Sequence, residues 1–200
     1  MNTFDNKAAS WDDDPAKRER AHAVADAIRA RVPLGPATRG FEFGCGTGLL
    51  GFALQADLGH VTLADNSAGM LAVLRDKIAA AGIGNMTPIR FELGADDAST
   101  AGYDLVFSLM TLHHVADTRR ALADLHGLLA AGGHLCIADL DAEDGSFHGE
   151  GFDGHCGFGR ESLGGLAEAA GFASVRFDTV FHIDKAGRRY PVFLMVAQRP

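Results

Sequence analysis

The chain predicts an α/β fold: a doubly wound sheet of about seven strands, five of them parallel and the last two a C-terminal antiparallel hairpin. Three observations carry that prediction. Short apolar, β-rich runs alternate with longer segments of helical period. A glycine-rich turn joins the first of those runs to a helix-like segment. The last two runs, "ASVRFDTVFHI" and "RYPVFLMVAQR", are joined only by "DKAGR", too short for the helical crossover that parallel strands require.

Each element follows from local chemistry. "DPAKRERAHAVADAIRARV" opens with Asp14 as a capping residue and Pro15 at the first helical position, and Ala21, Val24, Ala25, Ile28 and Val32 recur at helical spacing. "RGFEFG" is a short buried-type strand, Leu49 to Leu58 is helical, and "HVTLAD" is a second strand ending at Asp65. Ser67 caps the next helix, which sets Met70, Leu71, Leu74, Ile78 and Ala81 on one face. "PIRFEL" and "YDLVFSLM" are strands three and four. "RRALADLHGLLAAGG" is a helix closed by glycine, with Leu122, Leu125, Leu128 and Leu129 on its stripe, and "HLCIADL" is strand five. "RESLGGLAEAAGF" is a weaker helix whose two internal glycines cost about 1 kcal/mol each. The expected organisation is one domain over residues 1–200, with an N-terminal helical segment 1–36 and a glycine-rich loop or lid at 142–160.

Two hundred residues with 47% hydrophobic content suit one core that buries about two-thirds of the unfolded surface. The net charge of −8, with Lys and Arg scattered rather than striped, suits neither nucleic acid nor an anionic membrane. An uncharged polar, cationic or apolar small molecule is the easier partner. Cys45, Cys136 and Cys156 are far apart and show no C-x-x-C spacing, which argues against a disulfide framework or zinc knuckle. No apolar run approaches 18 residues and the start is polar and acidic, so a cytoplasmic location is expected.

The turn "FEFGCGTGLLGF" contains two overlapping patterns. Gly46, Gly48 and Gly51 form G-x-G-x-x-G, the pattern of a dinucleotide-binding turn, and Asp65 follows Gly48 by 17 residues, near the roughly 20-residue offset of a ribose-binding acid. Gly44, Gly46 and Gly48 form G-x-G-x-G. An NAD-dependent oxidoreductase is therefore one reading. Against it stand an acid inside the strand (Glu42), a helix before the first strand, and the closing hairpin.

Together "FEFGCGTG", the acid of "LADNS", the segment "YDLVFSLMTLHHV" and the hairpin resemble the class I S-adenosylmethionine-dependent methyltransferases, Rossmann-like enzymes, here of the small stand-alone type. The resemblance covers nearly the whole chain and is most specific over residues 39 to 141. It implies S-adenosyl-L-methionine as cofactor, a small-molecule methyl acceptor, and a site built from Glu42, Gly44, Cys45, Gly46 and Gly48. Glu42 would order that loop from below. Asp65 would hold both ribose hydroxyls, with Asn66 and Met70 flanking ribose and adenine. Ser108 and Leu109 would complete the cofactor site. Glu92, with the Leu93 backbone, falls at the position that meets the adenine amino group, with Asp96 or Asp97 as the alternative. A non-catalytic module that binds the same cofactor is the third reading of the chain.

Methyl transfer from a sulfonium needs alignment and, for some nucleophiles, a base. His113 and His114 follow strand four, beyond the edge where ligands bind in open α/β sheets, and are the candidate catalytic residues. Trp11, His148 and His155 are candidate substrate-side residues, with Phe147, Phe152 and Phe158 supplying apolar surface. His148, His155 and Cys156, joined by His113 or Asp139, could bind zinc, but the spacing fits no standard site and no metal is expected.

Overall fold

The computed structural model describes residues 4–93, 96 and 102–200. A 3-10 helix, Asp5–Asp13, leads into α1 (Pro15–Arg29), β1 (Arg39–Phe43), α2 (Leu49–Leu54), β2 (His60–Asp65), α3 (Ala68–Ala81) and β3 (Met86–Arg90). Then follow β4 (Tyr103–Leu109), α4 (Thr118–Leu128), β5 (Leu129–Leu140), α5 (Arg160–Ala169), β6 (Ala173–Lys185) and β7 (Arg188–Gln198). The seven strands run in the order β3-β2-β1-β4-β5-β7-β6. The first five are parallel, and β7 enters antiparallel between β5 and β6.

The sheet is covered on both faces, so its central strands are apolar on both sides. Along β4, Leu105 and Phe107 join Val24 and Ile28 of α1, Leu50 and Leu54 of α2, and Leu71 and Leu74 of α3. Val106 points the other way, into a cluster with Leu122 and Leu125 of α4 and Leu163 and Ala167 of α5. Helix starts follow their capping residues: the Asp14 side chain accepts from Ala16 N with Pro15 next in line, and Ser67 accepts from Met70 N. The hairpin between β6 and β7 closes over Ala186 (φ 51°) and Gly187 (φ 75°), the pair of left-handed residues that a two-residue turn needs to match strand twist.

Three elements differ from the sequence expectation. Helix α4 stops at Leu128, and Leu129 already belongs to β5. The stop is imposed from the far end of the chain: Arg199 donates from its guanidinium to His126 O, and its backbone pairs with Gly132 and Gly133. Strand β3 begins at Met86 and carries Pro88 inside it, which an edge strand tolerates, and it ends before Glu92. Finally, the residues before α1 form the 3-10 helix, which docks on α3. Asp5 Oδ1 accepts from Ser67 Oγ (2.6 Å) and Gly69 N (3.0 Å).

Candidate functional site

A cleft of about 1630 Å³ opens over the C-terminal ends of the parallel strands. The strand order reverses between β1 and β4, the place where open α/β sheets bind ligands. The turn after β1 forms its floor. Gly44, Gly46 and Gly48 all have left-handed φ (64°, 53° and 82°), a conformation that side chains resist. A Cβ on Gly48 would meet Leu74 Cδ1 at 2.6 Å. Gly51 is different: it lies inside α2, where a Cβ would come within 2.5 Å of Leu63 and 2.6 Å of Glu42 Oε2. Its lack of a side chain lets α2 pack closely on the Leu63 and Glu42 side chains.

Asp65 ties the turn to the next helix. Its Oδ2 accepts from Gly46 N (2.7 Å) and its Oδ1 from Ser67 N (2.8 Å). Burial raises its pKa, while the N–H donors of Ser67, Gly46 and Asn66 oppose the rise. A carboxylate offers about four acceptor positions, so capacity remains for hydroxyl donors. Asn66 and Met70 line the cleft beside it. Under the turn lies Glu42, 2% exposed, with Oε2 unpartnered among the described residues. Burial pushes its pKa up to about 8. Cys45 is buried in the turn itself, and burial raises its thiol well above the usual range.

Beyond β3, Glu92 and Leu93 line the cleft. Asp96 folds back on them: its Oδ2 accepts from Glu92 N (2.7 Å) and its own N–H donates to Glu92 O (3.0 Å). Asp97 lies outside the described residues. Leu109 reaches the lining, whereas Ser108 is buried with Oγ unpartnered among the described residues.

Past β4, residues Leu112–His114 form a 3-10 turn that sets two imidazoles against the cleft. His113 Nδ1 is 2.6 Å from Asp139 Oδ1, and both side chains are at most 1% exposed. Asp139 is itself fixed, accepting from His113 N (3.1 Å) and Leu140 N (2.8 Å). His114 and His148 complete a cluster with ring centroids 4.1 to 5.7 Å apart. Desolvation, followed by the influence of His113, lowers both His114 and His148 to about 4, so each is neutral near pH 7. His148 stacks on Phe152 at 3.7 Å, and Phe4 packs edge-on against both His114 and Trp11.

Trp11 therefore lines the cleft, as does His148, but His155 does not. The His155 ring nitrogen Nε2 lies 3.0 Å from Val115 O and 3.2 Å from Thr118 Oγ1, and its backbone donates to His113 O. It tethers the 142–160 loop to the start of α4. Among the described residues, no group of three His, Cys, Asp or Glu side chains is placed to hold a metal ion.

Sequence reasoning missed three features. Arg20 of α1 lines the cleft with Nε buried and unpartnered among the described residues, and desolvation lowers its pKa. Asp14 and Asp139 oppose that lowering, and the unmade hydrogen bond of a buried N–H inside a cleft invites an acceptor. Asp12 accepts from Thr47 Oγ1 and Lys77 Nζ, both at 2.5 Å, strapping the N-terminal helix across the glycine turn. The pairing of Asp139 with His113 was also missed; an acid inside the apolar run "HLCIADL" was the available signal.

A glycine turn closed by an acid, at the switch point of a sheet with one inserted antiparallel strand, defines an α/β nucleotide-cofactor domain. Residues 41–135 match a family described as "Methyltransferase domain". An uncharacterized methyltransferase of Mycobacterium tuberculosis is 39% identical over 114 residues, covering 55% of this chain and 54% of that protein. A ubiquinone biosynthesis O-methyltransferase of Marinobacter nauticus is 28% identical, covering 72% of this chain and 63% of that one. The chain spans about half the length of the curated relatives it matches first. Among solved structures, the methyltransferase complexed with the Trm112 methyltransferase activator of Haloferax volcanii superposes with a TM-score of 0.80 at 18% identity, covering 100% of this chain and 99% of that one. Over residues 41–135 the chain is thus similar to methyltransferase domains, and its fold is the one seen in that solved methyltransferase.

Proposed function

We propose that this protein transfers the methyl group of S-adenosylmethionine to a small-molecule acceptor and releases S-adenosylhomocysteine. The observation that carries the reading is the glycine turn, closed by Asp65, in one cleft with the buried His113–Asp139 pair. The residues present fit the cofactor. The three left-handed glycines leave room for close approach of a ligand to the backbone, and Asp65 can accept from ribose hydroxyls. Arg20 would meet the carboxylate of the cofactor's amino-acid end, and Glu92 with Leu93 would face the adenine.

The cofactor, when bound, supplies an electrophilic methyl group on a positively charged sulfur. This chain's contribution is alignment and exclusion of water. Phe4, Trp11, Phe152 and the 142–160 loop form the apolar wall of the acceptor side. Asp139 takes up Nδ1 of His113, a residue that lines the cleft, so Nε2 is the ring nitrogen that would take a proton. The Marinobacter relative is an O-methyltransferase, which supports an oxygen acceptor. No described helix is long and apolar enough to cross a membrane, and we place the reaction in the cytoplasm on the polar, acidic composition.

The test is incubation with methyl-labelled S-adenosylmethionine and a broad panel of small hydroxyl, amine and thiol compounds. Label transferred with matching release of S-adenosylhomocysteine is the expected result. Tight cofactor binding with no transfer to any compound would make the protein a non-catalytic binding module. Preference for NADH would favour the oxidoreductase reading.

A further inference from the structure

We propose that His113 and Asp139 form a proton-abstracting pair for an aromatic hydroxyl, so that the acceptor is a phenol or a close analogue. The inference rests on the methyl-transfer reading above and specifies its substrate class. Two independent features of the cleft carry it.

The first is the buried pair. Asp139 receives three hydrogen bonds, including His113 Nδ1 at 2.6 Å, so the imidazole is fixed in orientation with Nε2 as its free nitrogen. Asp139 stabilises the imidazolium that forms when Nε2 takes a proton. A neutral amine loses its proton after it has attacked and needs no such base beforehand. A hydroxyl is a weak nucleophile until its proton is removed. An aspartate held at zero exposure behind a histidine serves an O–H acceptor.

The second is the wall. Phe152 stacks on His148 with the rings 14° from parallel, His114 meets the Phe152 ring edge-on at 5.5 Å, and Phe4 meets His114 at 5.3 Å. Flat aromatic surfaces arranged around one imidazole suit a flat ring, whose faces and edges match those of its neighbours.

The step balances. The hydroxyl proton passes to His113 Nε2, and an oxygen lone pair forms the new bond to the methyl carbon. The carbon–sulfur bond breaks with its electron pair kept by sulfur, which becomes a neutral thioether. Around the pair lie Arg20 on α1, on which Asp139 acts, and His114 and His148, on both of which His113 and Asp139 act; Asp153 of the loop acts on His114, and Glu143 and Lys185 act on His148. His114 and His148 are neutral near pH 7.

The experiment measures methyl transfer to 4-methoxyphenol, 4-nitrophenol, aniline and thiophenol, with S-adenosylhomocysteine affinity measured on the same protein. Both phenols should be methylated and aniline should not. Asp139→Asn should lower kcat/KM for 4-methoxyphenol by about 100-fold or more. It should lower it by less than about tenfold for 4-nitrophenol, already ionised at about pH 9. Cofactor affinity should stay within about twofold. Equal losses for the two phenols would make Asp139 a merely structural residue and overturn the proposal. Should Asp139→Asn not fold, the wild-type protein decides: rates across substituted phenols that follow only the ionised fraction in bulk water would exclude a base. Methylation of aniline or thiophenol in preference to phenols would overturn the substrate class alone. Absence of cofactor binding would instead defeat the methyl-transfer reading beneath it.

Discussion

The backbone N–H of Gly46 donates to Asp65 Oδ2 at 2.7 Å, so the acid at the end of β2 fastens the glycine turn at the end of β1. The other oxygen of Asp65 accepts from Ser67 N, which opens α3. One carboxylate thereby sets the relative position of the two elements that floor the cleft, before any ligand arrives. Pre-organisation of this kind spares a ligand the cost of ordering its own site.

Asp65→Ala should lower S-adenosylhomocysteine affinity by tenfold or more, about 1.4 kcal/mol or greater, since the site loses both a charged acceptor and the tie to Gly46. Asp65→Asn, which keeps an acceptor oxygen, should fall between the two. Calorimetric titration of the three proteins checks the ranking, and an unchanged affinity for Asp65→Ala would remove Asp65 from the cofactor site.

Arg20→Met should weaken the same ligand by roughly tenfold, while Arg20→Lys keeps part of the affinity, because Nε of the guanidinium is buried with no hydrogen-bond partner among the described residues and is open to a ligand carboxylate. Equal affinities for Arg20→Met and the wild type would assign Arg20 elsewhere.

Asp12→Ala releases Thr47 and Lys77 from the N-terminal 3-10 helix. The Asp12–Lys77 pair is about a quarter exposed on each side, so solvent screening limits its contribution to about 1 kcal/mol or less. A several-fold loss of cofactor affinity with a small change in Tm is expected, together with faster proteolysis ahead of α1. A large fall in Tm without loss of affinity would make the strap part of the core instead.

Glu42 gives a pH signature of opposite sign to an ordinary ion-paired carboxylate. Its folded pKa, about 8, lies above its ordinary value of 4.5. The folded protein therefore holds the proton more tightly than the unfolded chain, and stability falls as pH rises from about 4.5 to about 8. Glu42→Gln should flatten that slope and stabilise the protein by roughly 1–3 kcal/mol at the upper end, with little effect near pH 4.5. Chemical denaturation at a series of pH values checks it; parallel curves for the two proteins would contradict it.

Gly51→Ala should cost about 1–3 kcal/mol, since the new methyl would press on Leu63 and Glu42 at 2.5 and 2.6 Å. Stability within about 0.5 kcal/mol of wild type, measured by denaturant unfolding, would show that α2 can shift to make room.

Local chemistry explains what could be read in advance. Asp14 with Pro15, and Ser67, announce helix starts because each cap acts within three residues of itself. Strands β1, β2 and β4 are nearly continuous apolar runs because both faces are covered. The end of α4 was hidden because Leu129 satisfies a helical stripe and a buried strand equally well, and the residue that decides is Arg199, 70 positions later. Pro88 misplaced the start of β3 because the sequence did not mark which strand would lie at the edge.

The same division runs through the site. The glycine turn, Asp65 and the two histidines after β4 are compact motifs, whereas the Asp139 contact to His113 spans 26 residues and that of Asp12 to Lys77 spans 65. Arg20 on α1 carries no motif at all, only an unpaired nitrogen once the helix is in place. The contacts of His155 to Val115 and Thr118 span 40 and 37 residues, and the glycine-rich loop that carries it leaves its direction open in the sequence.

The central claim is that the turn at Gly44–Gly48 and Asp65 hold S-adenosylmethionine. Calorimetric titration of the full chain with S-adenosylhomocysteine and, in parallel, NADH tests it most directly. The account predicts saturable one-to-one binding of S-adenosylhomocysteine and no heat of binding for NADH. Saturable NADH binding with no response to S-adenosylhomocysteine would contradict it.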